Sequence, residues 1–181
     1  MRLFVFLLAA CAFAQSPKFT KTGELTFPAG YREWVFLSSG LGMTYGQNAP
    51  KPGAAPRFTN VLVNPTSYRA FQKTGRWPEG TMFILEVRAS ASEGSINKGG
   101  HYQGEIVAME IEVKDSKRYA ETWAYFDFPL THGVPSATAK PFEPGNRCVQ
   151  CHSQAGKVEN TFVQFYPSLI ETAKAKGTWK P

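Results

Sequence analysis

The chain is poor in features that would mark a membrane protein, a disulfide scaffold or a repeat. The apolar run Leu3 to Ala10 falls far short of the roughly 20 residues a spanning helix needs, and no later segment qualifies. No internal repeat is present. Cysteine is scarce, with three in 181 residues, and so is histidine, also three. There is no charge block either. The net charge of +6 comes from 20 basic and 14 acidic residues spread along the chain, as in Glu171-Thr172-Ala173-Lys174-Ala175-Lys176. That dispersal argues against nucleic acid and leaves room for weak attraction to acidic partners or an anionic surface. The length suits one domain with a real core and is too short for two ordinary ones.

What is present begins with a leader. Met1-Arg2 is a short basic start, Leu3 to Ala10 is apolar, and Ala12-Phe13-Ala14 is an A-x-A cleavage signal before Gln15. Residues 1–14 are therefore expected to be a signal peptide, residues 15–181 one domain, and the protein periplasmic or secreted. Leu8-Ala9-Ala10-Cys11 also matches a lipoprotein processing site that would leave a lipid on Cys11; the A-x-A reading is preferred because the apolar run is short. Cleavage after Ala14 removes Cys11 and Arg2. It leaves a net charge of +5 (19 basic against 14 acidic) and only Cys148 and Cys151 as thiols, which rules out a disulfide framework.

Those two thiols stand in Cys148-Val149-Gln150-Cys151-His152, the spacing that attaches a c-type haem. Each thiol forms a thioether with one haem vinyl group, and the adjacent histidine becomes the proximal iron ligand. A thioredoxin-like pair would need a βαβ context that this region lacks. A zinc site would need two further ligands, and only the loop histidines His101 and His132 are on offer. One covalent haem c with His152 on the iron is the expectation, and export fits it.

The pattern of the remaining residues predicts an α+β fold, mainly antiparallel sheet with a few flanking helices. A short strand is expected at Glu24 to Phe27 and a helix turning into a strand over Tyr31 to Leu37. Gly40 to Pro56 should be a surface loop and Phe58 to Val63 a strand. Asn64-Pro65 should open a helix, with Asn64 as its cap, Tyr68 and Phe71 on its inner face and Gly75 at its end. Thr81 to Arg88 and Gly104 to Val113 are strands joined by a long mobile loop, Ala89 to Gln103. In the second, Val107, Met109 and Ile111 should share one face, with Ala108, Glu110 and Glu112 on the other. Thr122 to Phe128 is an aromatic strand. Pro129 to Arg147 is a loop with four prolines, and Pro167 starts a last helix that ends at Gly177.

Taken in order, Tyr31-Arg-Glu-Trp-Val35, Val61-Leu-Val-Asn-Pro65, Glu79-Gly-Thr81, Trp123-Ala-Tyr-Phe126, the CxxCH at 148–152 and Phe165-Tyr-Pro167 resemble the cytochrome P-460 family, which includes the cytochromes c′-beta. The resemblance runs from about residue 24 to residue 175. It implies a mostly β fold, commonly dimeric, with one high-spin haem and an open distal side. In the hydroxylamine-oxidising members a strand lysine is cross-linked to the haem. Its place here is similar to that of Leu85, which cannot form the bond, and Lys98 in the flexible loop is no substitute. Thr59 stands near the place of a distal arginine, whereas Glu110 matches a distal carboxylate that would serve as proton acceptor. The c′-beta likeness implies that Phe58, Phe83 and Leu85 line an apolar distal pocket. Met43, Met82 and Met109 are expected to be core rather than a sixth ligand, and His101 and His132 to be solvated.

Three functions follow. The leading one is a haem protein that binds a small nitrogen ligand such as nitric oxide. The second is an enzyme that oxidises hydroxylamine or nitric oxide with Glu110 as base, passing electrons to a partner cytochrome. The third is a plain electron carrier. Leu85 counts against the second, and the lack of a well-placed Met or His against the third.

Overall fold

A computed structural model describes residues 16–44 and 53–181. The expected leader with Cys11, and the middle of the Gly40–Pro56 loop, lie outside these residues. The expected α+β architecture is found. Its frame is a five-stranded antiparallel sheet in the order β2 (Val35–Leu41), β3 (Phe58–Val63), β4 (Met82–Ala91), β5 (Tyr102–Lys114), β6 (Trp123–Asp127). β1 (Leu25–Thr26) lies apart from this sheet and follows the polar lead-in. The Tyr31–Glu33 segment is a single 3-10 turn that feeds β2, so a helical turn does pass into a strand there. Among the described residues no helix is long and apolar enough to cross a membrane.

Helix α1 (Pro65–Thr74) interrupts the sequence between β3 and β4, yet the two strands remain neighbours. Pro65 sits in its first turn and Gly75 ends it with φ 71°, a left-handed conformation that costs glycine little. Asn64 holds the cap position but does not cap with its side chain. Its Oδ1 accepts from the Met82 amide (3.0 Å), and its Nδ2 donates to the Gly80 carbonyl (3.4 Å). The residue thus ties the helix start to the next strand. Phe71 is fully buried, with Tyr68 packed beside it.

Both faces of the sheet are covered, so its central strands read as nearly continuous apolar runs. One face carries Leu62, Met82, Ile84, Met109, Ile111 and Phe126, packed against Leu25, Tyr31 and Trp34 and against Phe128 and Ala139 from the segment after β6. That segment is more than a loop. It contains the paired short strands β7 (Leu130–Thr131) and β8 (Val134–Pro135), then β9 (Thr138–Ala139), which pairs with β1. The other face carries Val63, Phe83, Trp123 and Tyr125 under α1, helix α2 (Arg147–Ala155) and helix α3 (Pro167–Ala175). Gly177, with φ 67°, lies just beyond α3.

Of three register shifts in the sheet, two alter the expected alternation. In β2 the register slips between Phe36 and Ser38, and the extra residue, Leu37, buries itself on the helix-covered face. In β5 the ladder passes from Ala108 to Ile106, so Val107 stands at a bulge and leaves the face expected for it beside Met109 and Ile111. Strands β4 and β5 are also longer than the sequence suggests. The pairs Ser90↔Gln103 and Ala91↔Tyr102 extend the ladder and reduce the Ala89–Gln103 loop to 92–101.

On the first face, Glu86 is a carboxylate with 2% exposure. It accepts from Tyr31 Oη (2.7 Å) and Arg88 Nε (2.5 Å), lies 2.7 Å from Arg32, and takes a longer bond from Asn60 (3.4 Å). Burial alone would raise its pKa. The hydrogen bonds from Arg88 and Tyr31 and the charges of Arg32 and Arg88 outweigh burial and hold it below the usual 4.5. A folded-state pKa below the unfolded one stabilises the fold above pH 4.5, and that stability drains away as pH falls toward the folded value. Glu86→Gln should cost about 3 kcal/mol at neutral pH and should flatten the acid limb of the melting profile below pH 4.5, which calorimetry across pH 3–7 would measure.

Candidate functional site

A cavity of about 980 Å³ opens on the helix-covered face, at the upper end of the roughly 300–1,000 Å³ common for cofactor sites. Its floor is read directly from strand register. Ser38, Val61, Leu85 and Glu110 are successive cross-strand partners and form one row. Phe83, Glu112 and Tyr125 form the next. Gly40 and Thr59 are paired on the far side of the first row. All of these line the cavity, as do Met43 and, from α2, Cys148, Cys151 and His152.

Helix α2 begins where Asn146 Oδ1 accepts from the amides of Cys148 (2.9 Å) and Val149 (3.3 Å), a side-chain N-cap. The helix itself went unpredicted; Asn146 ahead of the motif was its signal. Three residues apart, Cys148 and Cys151 are nearly one turn from each other. Both are free and half-buried. Burial, followed by the charges of Glu110 and Glu112, raises the Cys148 thiol pKa, which keeps it protonated at neutral pH.

His152 lies between two rings, Tyr125 at 4.8 Å and Phe162 at 4.3 Å between centroids. Its Nδ1 is 2.9 Å from the Asn160 carbonyl oxygen. An acceptor there fixes the proton on Nδ1 and leaves Nε2 with a free lone pair. Burial depresses the imidazole pKa to about 4, against the opposing pull of the Asn160 bond, so the ring is neutral at pH 7 as a ligand must be.

Glu112 Oε2 comes within 3.2 Å of the same Nδ1 but is aligned with no donor and stays an unpartnered buried oxygen. Burial, then the charge on Glu110, pushes its carboxyl up to about 8. With the imidazole neutral and the carboxyl largely protonated at pH 7, this approach is not a full ion pair. The sequence places Glu112 on the same strand face as Glu110, but nothing in it brings Glu112 beside His152. Glu110 is exposed where it lines the cavity, and burial followed by the charge of its cross-strand partner Asp127 raises its pKa.

Other expected residues are dispersed. Phe58 is half-buried and does not line the cavity; alternation along β3 sends it to the opposite face from Thr59 and Val61. Met82 and Met109 are buried in the opposite core. Lys98, His101 and His132 are exposed and away from the cavity. Phe83, Leu85, Glu110, Cys148, Cys151 and His152 are brought together around it, with Thr59 at its edge.

An antiparallel sheet that floors a large cavity, with two free thiols and a neutral imidazole converging on it, describes a cofactor-binding protein of the cytochrome class. The particular family follows from the sequence model of Cytochrome P460, which matches residues 28–163: the chain belongs to that family, and the family implies a haem cofactor. Among curated proteins none matches the chain.

The residues fit such a group. Helix α2 has no buried residue, although a nine-residue helix depends on packing for its stability, and its inner face is one that a cofactor would cover. Cys148 and Cys151 would hold the haem edge and His152 Nε2 its iron.

Gly156 tests how tightly this arrangement is built. A Cβ there would lie 2.5 Å from the Asn160 carbonyl carbon and 2.6 Å from the His152 carbonyl oxygen, both backbone atoms. Gly156→Ala should therefore displace the Asn160 carbonyl from His152 and cost about 1–3 kcal/mol. Denaturant unfolding checks the stability, and the His152 ring nitrogen shifts in NMR spectra of the haem-free protein check the displacement.

Proposed function

We propose that the protein is an exported monohaem c-type cytochrome whose open distal side binds a small nitrogen-containing ligand such as nitric oxide. The observation that carries this reading is the convergence of Cys148, Cys151 and His152 on a cavity that also takes in the apolar side chains of Val61, Phe83 and Leu85. Each thiol would add its sulfur and its hydrogen across one vinyl group, giving a thioether with no net redox change. When bound, the haem supplies an iron centre that can take a small neutral ligand. His152, neutral and held at Nδ1, offers Nε2 to that iron from one side.

Val61 and Leu85 contribute apolar side chains to the row that also holds Ser38 and Glu110. Neither offers a bound ligand a hydrogen bond, which favours a neutral diatomic over an anion there. Leu85, at the place that resembles that of the cross-linking lysine, leaves the two thioethers as the only covalent links. A second reading, oxidation of hydroxylamine or nitric oxide with transfer of electrons to a partner cytochrome, draws on Glu110. Its carboxylate lines the cavity in the same row as Leu85, and burial followed by the charge of Asp127 raises its pKa, which makes it a stronger proton acceptor than an ordinary surface carboxylate.

Four measurements test these readings. Cys148→Ala combined with Cys151→Ala should abolish covalent haem in protein matured in a periplasm, read by haem staining of denatured protein; haem that stays attached would overturn the assignment. The intact mass of the unmodified holoprotein should equal the chain after Ala14 plus one haem, with no hydrogen loss from a further bond. Nitric oxide should shift the ferrous absorption spectrum while hydroxylamine turnover stays slow. Rapid, sustained hydroxylamine oxidation would favour the enzyme instead.

A further inference from the structure

The acceptor that fixes His152 comes from a short loop whose backbone is strained. Glu159 (φ 46°) and Asn160 (φ 63°) are consecutive non-glycine residues in the left-handed region, a conformation that costs energy and persists only where its surroundings enforce it. The loop is closed by a bridge between Val158 and Thr161. At its apex the Asn160 carbonyl points to His152 Nδ1, 2.9 Å away.

The side chain of Glu159 ties this turn to neighbouring segments. Its Oε2 accepts from the Trp77 amide (2.8 Å) and lies 3.2 Å from Lys114 Nζ. Lys114, itself nearly buried, also donates to the Trp77 carbonyl (2.7 Å), so carboxylate, ammonium and peptide unit close a compact network. Arg76 lies 3.5 Å from the other carboxylate oxygen. A second anchor joins the same two segments, since Trp77 Nε1 donates to Thr161 Oγ1 (2.9 Å). Trp77 follows α1 and Lys114 ends β5. The loop is therefore tied to the sheet as well as packed on the end of α2, which carries His152.

We propose that Glu159 is a positioning residue for the proximal histidine: by pinning the loop to Trp77 and Lys114 it holds the Asn160 carbonyl on His152 Nδ1 and so sets how strongly the imidazole donates to the haem iron. This rests on the reading of His152 as the iron ligand. A firm acceptor at Nδ1 gives the imidazole partial anionic character and favours the ferric state; a retracted acceptor weakens it.

The test uses the full-length holoprotein and three variants. Glu159→Ala removes the anchor. Glu159→Gly removes it while relieving the left-handed strain, and so covers the case in which the alanine variant does not fold. Glu159→Gln keeps an oxygen that can accept from the Trp77 amide. Resonance Raman of the ferrous protein reads the iron–histidine stretch, and redox titration reads the midpoint potential. Alanine and glycine should lower the stretching frequency and shift the ferrous-to-ferric balance about tenfold toward ferrous, about 59 mV for one electron, whereas glutamine should stay close to the parent. Phe128→Leu, a core change on the opposite face of the sheet, controls for general destabilisation and should move neither readout. The proposal is overturned if Glu159→Gly keeps the parental frequency and potential, or if Phe128→Leu shifts them as far. A parent protein without covalent haem would instead defeat the function proposed above, so the two failures are distinguishable.

Discussion

The register of the central sheet is the constraint on which the site depends. Because side chains alternate along a strand, a one-residue slip in β4 or β5 would exchange the cavity wall for the opposite core. Leu85 and Glu110 would turn away, and Glu86 and Met109 would face the helices. Registration is enforced from both sides. The buried aliphatic set Ile84, Met109 and Ile111 must meet the N-terminal segment, and Phe83, Trp123 and Tyr125 must meet Val163, Tyr166 and Leu169. The hydrogen bond that the Met82 amide donates to Asn64 Oδ1 adds a local lock at the start of β4. The chemistry of the cavity is thus specified largely by residues that do not line it.

The same sheet handles its carboxylates in opposite ways. Glu86 is surrounded by guanidinium groups and a phenol, and it stays ionised although buried. Glu110 and Glu112, on the other face, have no comparable cation and are pushed toward their neutral forms by burial and by negative neighbours. Distance along the chain does not separate these cases; face does. A carboxylate that resists ionisation is costly in a fold that needs it for nothing but stability, and two of them border the cavity.

Much of this was legible in the sequence. Apolar runs and turn residues located the sheet strands, the proline and glycine at the ends of α1 marked its limits, and the CxxCH spacing named the residues around which the cavity forms. What escaped notice depended on contacts between distant segments. A bulge such as that at Val107 leaves no local signature, since it arises from how β4 and β5 pair. Phe58 reads as apolar strand, but which face it takes follows from the register of β3 against its neighbours. Asn64 has the composition of a cap, yet its side chain finds a strand amide instead. The nearness of Glu112 to His152 joins residues forty positions apart in the chain, and no spacing rule reaches that far.

The two rows of the cavity floor divide its chemistry. Glu112 and Tyr125, in one row, lie against the histidine, and Val61, Leu85 and Glu110 form the other. Neighbouring rows on one face are two residues apart along each strand, which is roughly 7 Å. Substitutions in one row therefore act on the surroundings of the histidine, and those in the other on a separate part of the cavity floor, with Phe83, in the first row, bridging to the core through Tyr166 and Trp77. Leu85 belongs to the second row. Exchange of a lysine for a leucine there changes what the wall can bond to without disturbing the backbone that holds Cys148, Cys151 and His152, because those residues are placed by Asn146 and by the loop at Asn160. That separation lets the cavity floor at Leu85 vary without moving Cys148, Cys151 and His152.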